Sequence, residues 1–164
     1  MKSDRHTSFF YTQKGKGKAV ILLHGFLENH TIWEKFAEEL SATHRVITPD
    51  LAGHGKTPCF SEIHPMEMMA EGIFEILQAE KIKDCILVGH SMGGYVSLAF
   101  AEKYPDQIKG IVLMNSTAAS RFNRKTKKTE KKPYELPRQI KPILSKLLYP
   151  IYSVPEIGKY KQNP

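Results

Sequence analysis

Gly89-His90-Ser91-Met92-Gly93 sets a serine between two glycines in the spacing G-x-S-x-G. The apolar run Cys85–Val88 before it reads as a buried strand, and Tyr95–Lys103 after it reads as a helix. A strand that turns sharply into a helix at a serine pushes the hydroxyl out of the sheet, at the positive end of the helix dipole. The N–H of Met92 is then aimed at the same spot, where it can hold an oxyanion. Losing one such donor typically costs about 2.7–4 kcal/mol of transition-state stabilisation. The chemistry this suggests is attack of a hydroxyl on a carbonyl carbon. The pattern alone is common by chance, and the plain alternative is a serine that only turns the chain. The strand before it, the helix after it and the extra Gly94 weigh against that alternative.

An oxyanion site needs a second donor. His24-Gly25-Phe26 follows the apolar run Ala19–Leu23 and can present the N–H of Phe26, with Gly25 letting the backbone curl toward Ser91. His24 is read as a histidine that shapes this loop through hydrogen bonds rather than one that takes part in chemistry.

These residues need a scaffold. Ser8–Thr12, Ala19–Leu23, Arg45–Thr48, Cys85–Val88 and Ile108–Met114 read as strands. Lys14–Lys18 and Gly89–Gly94 read as turns, His24–Asn29 and Leu51–Thr57 as loops. Trp33, Phe36, Ala37 and Leu40 recur at helical spacing. A second helix opens near Pro65, with Met66, Met69, Ala70, Ile73, Ile76 and Leu77 on its apolar stripe. Its methionines are read as core fillers. Strands that are apolar throughout and alternate with helices predict an α/β fold, with a mainly parallel sheet and helices on both faces. In such sheets the site lies at the carboxyl ends of the strands. His24-Gly25-Phe26, the loop Asp50–Gly55 and the turn at Ser91 all fall there.

The stretches AVILLHGFLENHTIW, RVITPDLAGHGKT and ILVGHSMGGYVSLAFAEKYPDQIKGIVLMNS, with the helix between them, resemble the N-terminal half of an α/β-hydrolase-fold protein, over residues 8–118. The resemblance implies Ser91 as nucleophile and the backbone N–H groups of Phe26 and Met92 as the oxyanion hole. It implies a carboxylesterase-like hydrolase of small esters or thioesters, a small-molecule acyl substrate, and no metal or other cofactor. It makes Asp50–Gly55 chiefly structural, so neither Asp50 nor His54 is assigned to catalysis.

The sequence departs from the family after Ser91. Members place the acid and then the histidine of the triad downstream of the serine. All seven histidines here (His6, His24, His30, His44, His54, His64 and His90) precede Ser91. Glu102, Asp106, Glu130, Glu135 and Glu156 follow it, none after an evident later strand. A serine without its base is a weak nucleophile, so low activity is expected of this chain alone. The alternative is a truncated fragment, or a non-catalytic ligand-binding pseudoenzyme on the same scaffold. A sheet that stops at Ile108–Met114 lacks the family's C-terminal strands and presents an edge. Lower stability and self-association through that edge are therefore expected.

Composition bounds the rest. At 164 residues the chain has the length of one domain, and 41% hydrophobic with 25% charged residues is ordinary for a globular protein. Cys59 and Cys85 are too few for a disulfide scaffold and do not form a CxxC metal pair. No apolar run has the length of a membrane span, and MKSDRHTSFF lacks a signal peptide's apolar core, so the cytosol is the expected location. The net charge of +7 is uneven: residues 1–120 sum to −2 and residues 121–164 to +9. The expected organisation is a hydrolase-core portion, 1–120, and a basic, proline-rich tail or partial lid, 121–164. In the tail, residues 121–133 repel themselves and read as disordered, and residues 140–151 carry one amphipathic helical stripe. Three readings stay open for it: a partial lid with a ragged end, a product of truncation or frameshift, and a segment binding nucleic acid or an anionic membrane. No RNA-binding signature accompanies the third, so no specific nucleic-acid partner is expected.

Overall fold

The structure, a computed structural model, describes residues 9–116. The expectations for the tail, including its amphipathic helix, lie outside the described residues. Five strands form one sheet: β1 (Tyr11–Lys14), β2 (Ala19–Leu23), β3 (Arg45–Pro49), β4 (Cys85–His90) and β5 (Ile108–Met114). Their order is β1-β3-β2-β4-β5, parallel from β3 to β5, with β1 antiparallel at one edge. The α-helices among the described residues are α1 (Glu34–Leu40), α2 (Met66–Ala79) and α3 (Met92–Lys103). This is the α/β architecture with a mainly parallel sheet that the apolar runs predict.

The burial of β2 explains its composition. All five residues of AVILL are buried, because layers pack on both sides of this central strand. Ile21 and Leu23 join the larger core, with Met69, Ile73, Ile76 and Leu77 of α2 and Val96 and Phe100 of α3. Val20 and Leu22 face the other way, onto Trp33, Ala37 and Val46. Helices therefore lie on both faces. Met69 is buried and Met66 packs at the margin of the same core, so both act as fillers.

Tertiary pairing moved several boundaries. The strand read at Ser8–Thr12 is β1, Tyr11–Lys14, because Tyr11 to Lys14 are the residues in register with Pro49 to Val46. Phe9 instead tucks into the core, and Lys14 belongs to the strand rather than to the glycine turn. The strand read at Cys85–Val88 runs on to His90, since Gly89 and His90 pair with Leu113 and Met114 of β5. The turn read over Gly89–Gly94 shrinks to Ser91 alone, and α3 begins at Met92 instead of Tyr95. Pro65 is the N-cap of α2, one position before its first helical residue. Phe36 lies off the core, exposed and tilted against the Trp33 ring at 5.9 Å.

An ionic cluster ties down the end of the sheet away from Ser91. Buried Glu80, the C-cap of α2, accepts the Tyr11 hydroxyl at 2.7 Å and pairs with the Arg45 guanidinium. Arg45 also donates to the Glu80 carbonyl at 3.2 Å. Removing one member of such a pair strands the other charge. Glu80→Ala is expected to destabilise the protein by about 3 kcal/mol, read as a lower urea midpoint with an unchanged slope. A midpoint equal to the parent's would refute this.

Candidate active site

Four parallel strands end on one side of the sheet, and each continues into a segment of the candidate site. β2 leads to His24-Gly25-Phe26, β3 to Asp50, β4 to Ser91, and β5 to Asn115 and Ser116. Ser91 is the N-cap of α3, with φ 49° and ψ −112°. Such a backbone is costly for a residue other than glycine and persists only when the surroundings hold it. Two hydrogen bonds do so: the Ser91 N–H donates to the Met114 carbonyl at 2.9 Å, and the Gly94 N–H donates to the Ser91 carbonyl at 3.0 Å. Met92 is the first residue of α3, so its N–H has no intrahelical acceptor.

The first turn of α3 lies against the end of β2. A Cβ on Gly93 would fall 2.3 Å from the Leu23 carbonyl oxygen and 2.8 Å from that of His24. Only a glycine allows this approach, which sets the Ser91 turn beside the loop carrying Phe26. Phe26 itself is exposed, its ring edge-on to His54 at 5.7 Å.

His24 is wholly buried, and both ring nitrogens are engaged. Nε2 accepts the Leu51 N–H at 2.9 Å, so Nδ1 carries the proton and donates to the Gly25 carbonyl at 2.7 Å. Burial lowers its pKa, with the His54 charge adding to that effect against the Gly25 bond. The ring stays neutral and braces two loops, matching the loop-shaping role read for it.

Asp50 braces the same region. Its carboxylate accepts the His30 N–H at 2.7 Å, the His30 ring at 2.8 Å and the Lys56 N–H at 2.8 Å. Burial opposes its charge, yet these donors hold its pKa below the ordinary carboxylate value. It is built into the loop junction, as expected of a structural residue.

The remaining described histidines are also engaged away from Ser91. His44 bonds Thr43, His54 the Ala52 carbonyl, and His64 the Phe60 N–H. His90 points to Glu28 and Asn115. Among the described residues, no histidine is hydrogen-bonded to Ser91. Cys85 is no rival nucleophile: burial, aided by Asp84, pushes its thiol up to about 12. No group of three metal-ligating side chains occurs among the described residues. No helix among them is long and apolar enough to cross a membrane.

The family model for the α/β-hydrolase fold matches residues 18–140. The chain belongs to the α/β-hydrolase fold family. This α/β-hydrolase-fold chain is 37% identical over 110 residues to 2-hydroxy-6-oxo-2,4-heptadienoate hydrolase of Pseudomonas putida, covering 65% of the chain and 40% of that protein. It is 30% identical over 124 residues to epoxide hydrolase 3 of Xenopus tropicalis, covering 73% and 34%. A thermophilic esterase from Thermogutta terrifontis superposes with TM-score 0.67 and 36% identity, over 69% of the chain and 42% of the esterase. The chain thus spans well under half the length of these relatives. Their fold is shared over that part.

One feature of the site escapes sequence reading. Glu28 accepts the Gly25 N–H at 2.5 Å and the His90 ring at 2.9 Å, and the Asn115 amide reaches the other nitrogen of that ring at 3.4 Å. Burial opposes the Glu28 charge, but His90 and the Gly25 N–H hold its pKa below the ordinary value. Glu28 and His90 are 62 positions apart, so no local pattern could pair them.

Proposed function

We propose that this chain carries the nucleophile and oxyanion hole of a serine hydrolase acting on small carboxylic esters or thioesters. The observation that carries the reading is the left-handed Ser91, poised between β4 and the N-terminus of α3. A serine held so outside the sheet suits acyl transfer. The Ser91 Oγ attacks the carbonyl carbon, and the C=O π electrons move to oxygen. The N–H groups of Met92 and Phe26 hold that oxyanion. Collapse expels the alcohol or thiol, which takes up the serine proton. Water then cleaves the acyl-serine, releasing the carboxylic acid and restoring the hydroxyl. The general base and its acid are assigned to none of the described side chains.

The test is a fluorophosphonate, whose adduct with serine mimics the tetrahedral intermediate. The 164-residue chain is expected to label at Ser91 about 10²-fold or more faster than at its other serines. Ser91→Ala is expected to lose that label while melting at the parent temperature. Labelling of Ser91 no faster than of an ordinary surface serine would reject this reading and favour a non-catalytic chain.

A further inference from the structure

Around Ser91, the network of Glu28, Gly25, His90 and Asn115 has no part in the chemistry proposed above. It joins three strand ends. Gly25 and Glu28 follow β2, His90 is the last residue of β4, and Asn115 follows β5. His90 directly precedes Ser91, and Gly25 directly precedes Phe26. Glu28 therefore grips the neighbour of each proposed reacting element with one oxygen: Oε2 takes the Gly25 N–H at 2.5 Å and the His90 Nδ1–H at 2.9 Å. The loop closes on itself as well, through the Glu28 N–H to the Gly25 carbonyl at 3.3 Å. Packing is tight, since a Cβ on Gly25 would lie 2.7 Å from Glu28 Oε2 and 3.2 Å from His90 Nδ1.

The loop needs such a tether. Phe26 and Leu27 are 67% and 83% exposed, so their side chains contribute little to holding it. Leu27 also sits at φ 60°, a conformation a leucine adopts only under constraint. An ionised carboxylate bonding a backbone N–H and an imidazole N–H makes charge-assisted bonds, stronger than neutral ones. The Asn115 amide fixes the tautomer, donating to His90 Nε2 so that Nδ1 bears the proton.

We propose that Glu28 is a positioning residue, which clamps the Gly25–Leu27 loop to the strand end bearing Ser91 and so sets the reach of the Phe26 N–H to the oxyanion. The inference rests on the serine-hydrolase reading. A displacement near 1 Å of a reacting group can cost about 10²-fold in rate. The loop is short and partly exposed, so removing the clamp misplaces a donor without emptying the core.

The experiment compares the parent chain with Glu28→Ala and Glu28→Gln in two measurements. The first is fluorophosphonate labelling of Ser91, resolved into the maximal rate and the half-saturating probe concentration. Glu28→Ala is expected to lower the maximal rate by about 10- to 100-fold, with the half-saturating concentration within about twofold. Glu28→Gln keeps an acceptor and is expected to recover part of the rate. The second is amide hydrogen exchange at Gly25, the N–H that Glu28 accepts, which is expected to quicken at least tenfold in Glu28→Ala while the amides of β4 keep their protection. A Glu28→Ala chain with parental labelling and parental Gly25 exchange overturns the clamp. So does one whose labelling falls only in step with loss of the folded fraction. If the parent fails to label, the serine-hydrolase reading has failed, and the exchange measurement still decides whether Glu28 holds the loop.

Discussion

Gly93→Ala is expected to melt roughly 10 °C below the parent and to lose selective labelling of Ser91. In an exposed helix the same change would stabilise, because alanine is the better helix former by about 1 kcal/mol. Here the sign reverses. The added methyl would stand 2.3 Å from the Leu23 carbonyl oxygen, 2.7 Å from its carbon and 2.8 Å from the His24 oxygen. All are main-chain atoms, so no side chain can swing aside. Either α3 lifts from the end of β2 or the His24–Phe26 loop shifts. Overpacking of this kind costs about 3 kcal/mol, or more where backbone must move. Both movements separate the Met92 and Phe26 N–H groups, so reactivity falls with stability. Circular-dichroism melting with fluorophosphonate labelling checks both halves. A melting temperature at or above the parent's would show that the helix and β2 are not in this contact.

Asp50→Ala is expected to cost about 3–5 kcal/mol. The buried carboxylate takes two main-chain N–H groups, of His30 and Lys56, and the His30 ring. Alanine leaves those donors without an acceptor, and each buried orphan costs about 1–3 kcal/mol. The pH dependence has a definite sign. The folded pKa of Asp50 lies below its unfolded value. Its contribution is thus fully present above the unfolded pKa, near pH 4, and is lost as the pH falls through the folded pKa. Glu28 has the same direction and shares the acid loss. Urea unfolding between about pH 2 and pH 7 should show stability falling on the acid side of pH 4. Asp50→Asn should flatten that fall without abolishing it. An Asp50→Asn profile superposing on the parent's would refute the assignment.

The elements that proved legible are those whose signal is local. Ala19–Leu23 and Cys85–Val88 announce buried strands because a strand covered on both faces has no polar side to show. The α2 stripe announces a helix because Met69, Ile73, Ile76 and Leu77 must meet one core. Where chain met chain, local reading fell short. His90 looks like a turn residue beside two glycines, yet pairing with Met114 keeps it in β4. Phe36 fits a helical stripe, yet its face of α1 lies at the margin of the layer, where little packs on it.

The sequence by itself determined that a serine stands at a strand-to-helix turn, that a parallel sheet carries it, and that His24 and Asp50 belong to loops at the same strand ends. Spacing and hydrophobic period are enough for that, because they concern residues within one or two turns of each other. Tertiary structure alone decided what holds those loops in place. Glu28 reaches His90, Asp50 reaches both His30 and Lys56, and Gly93 meets Leu23. These contacts join residues brought together only when β2, β3 and β4 pair side by side. Their strength comes from charge and close approach, which no one-dimensional pattern encodes.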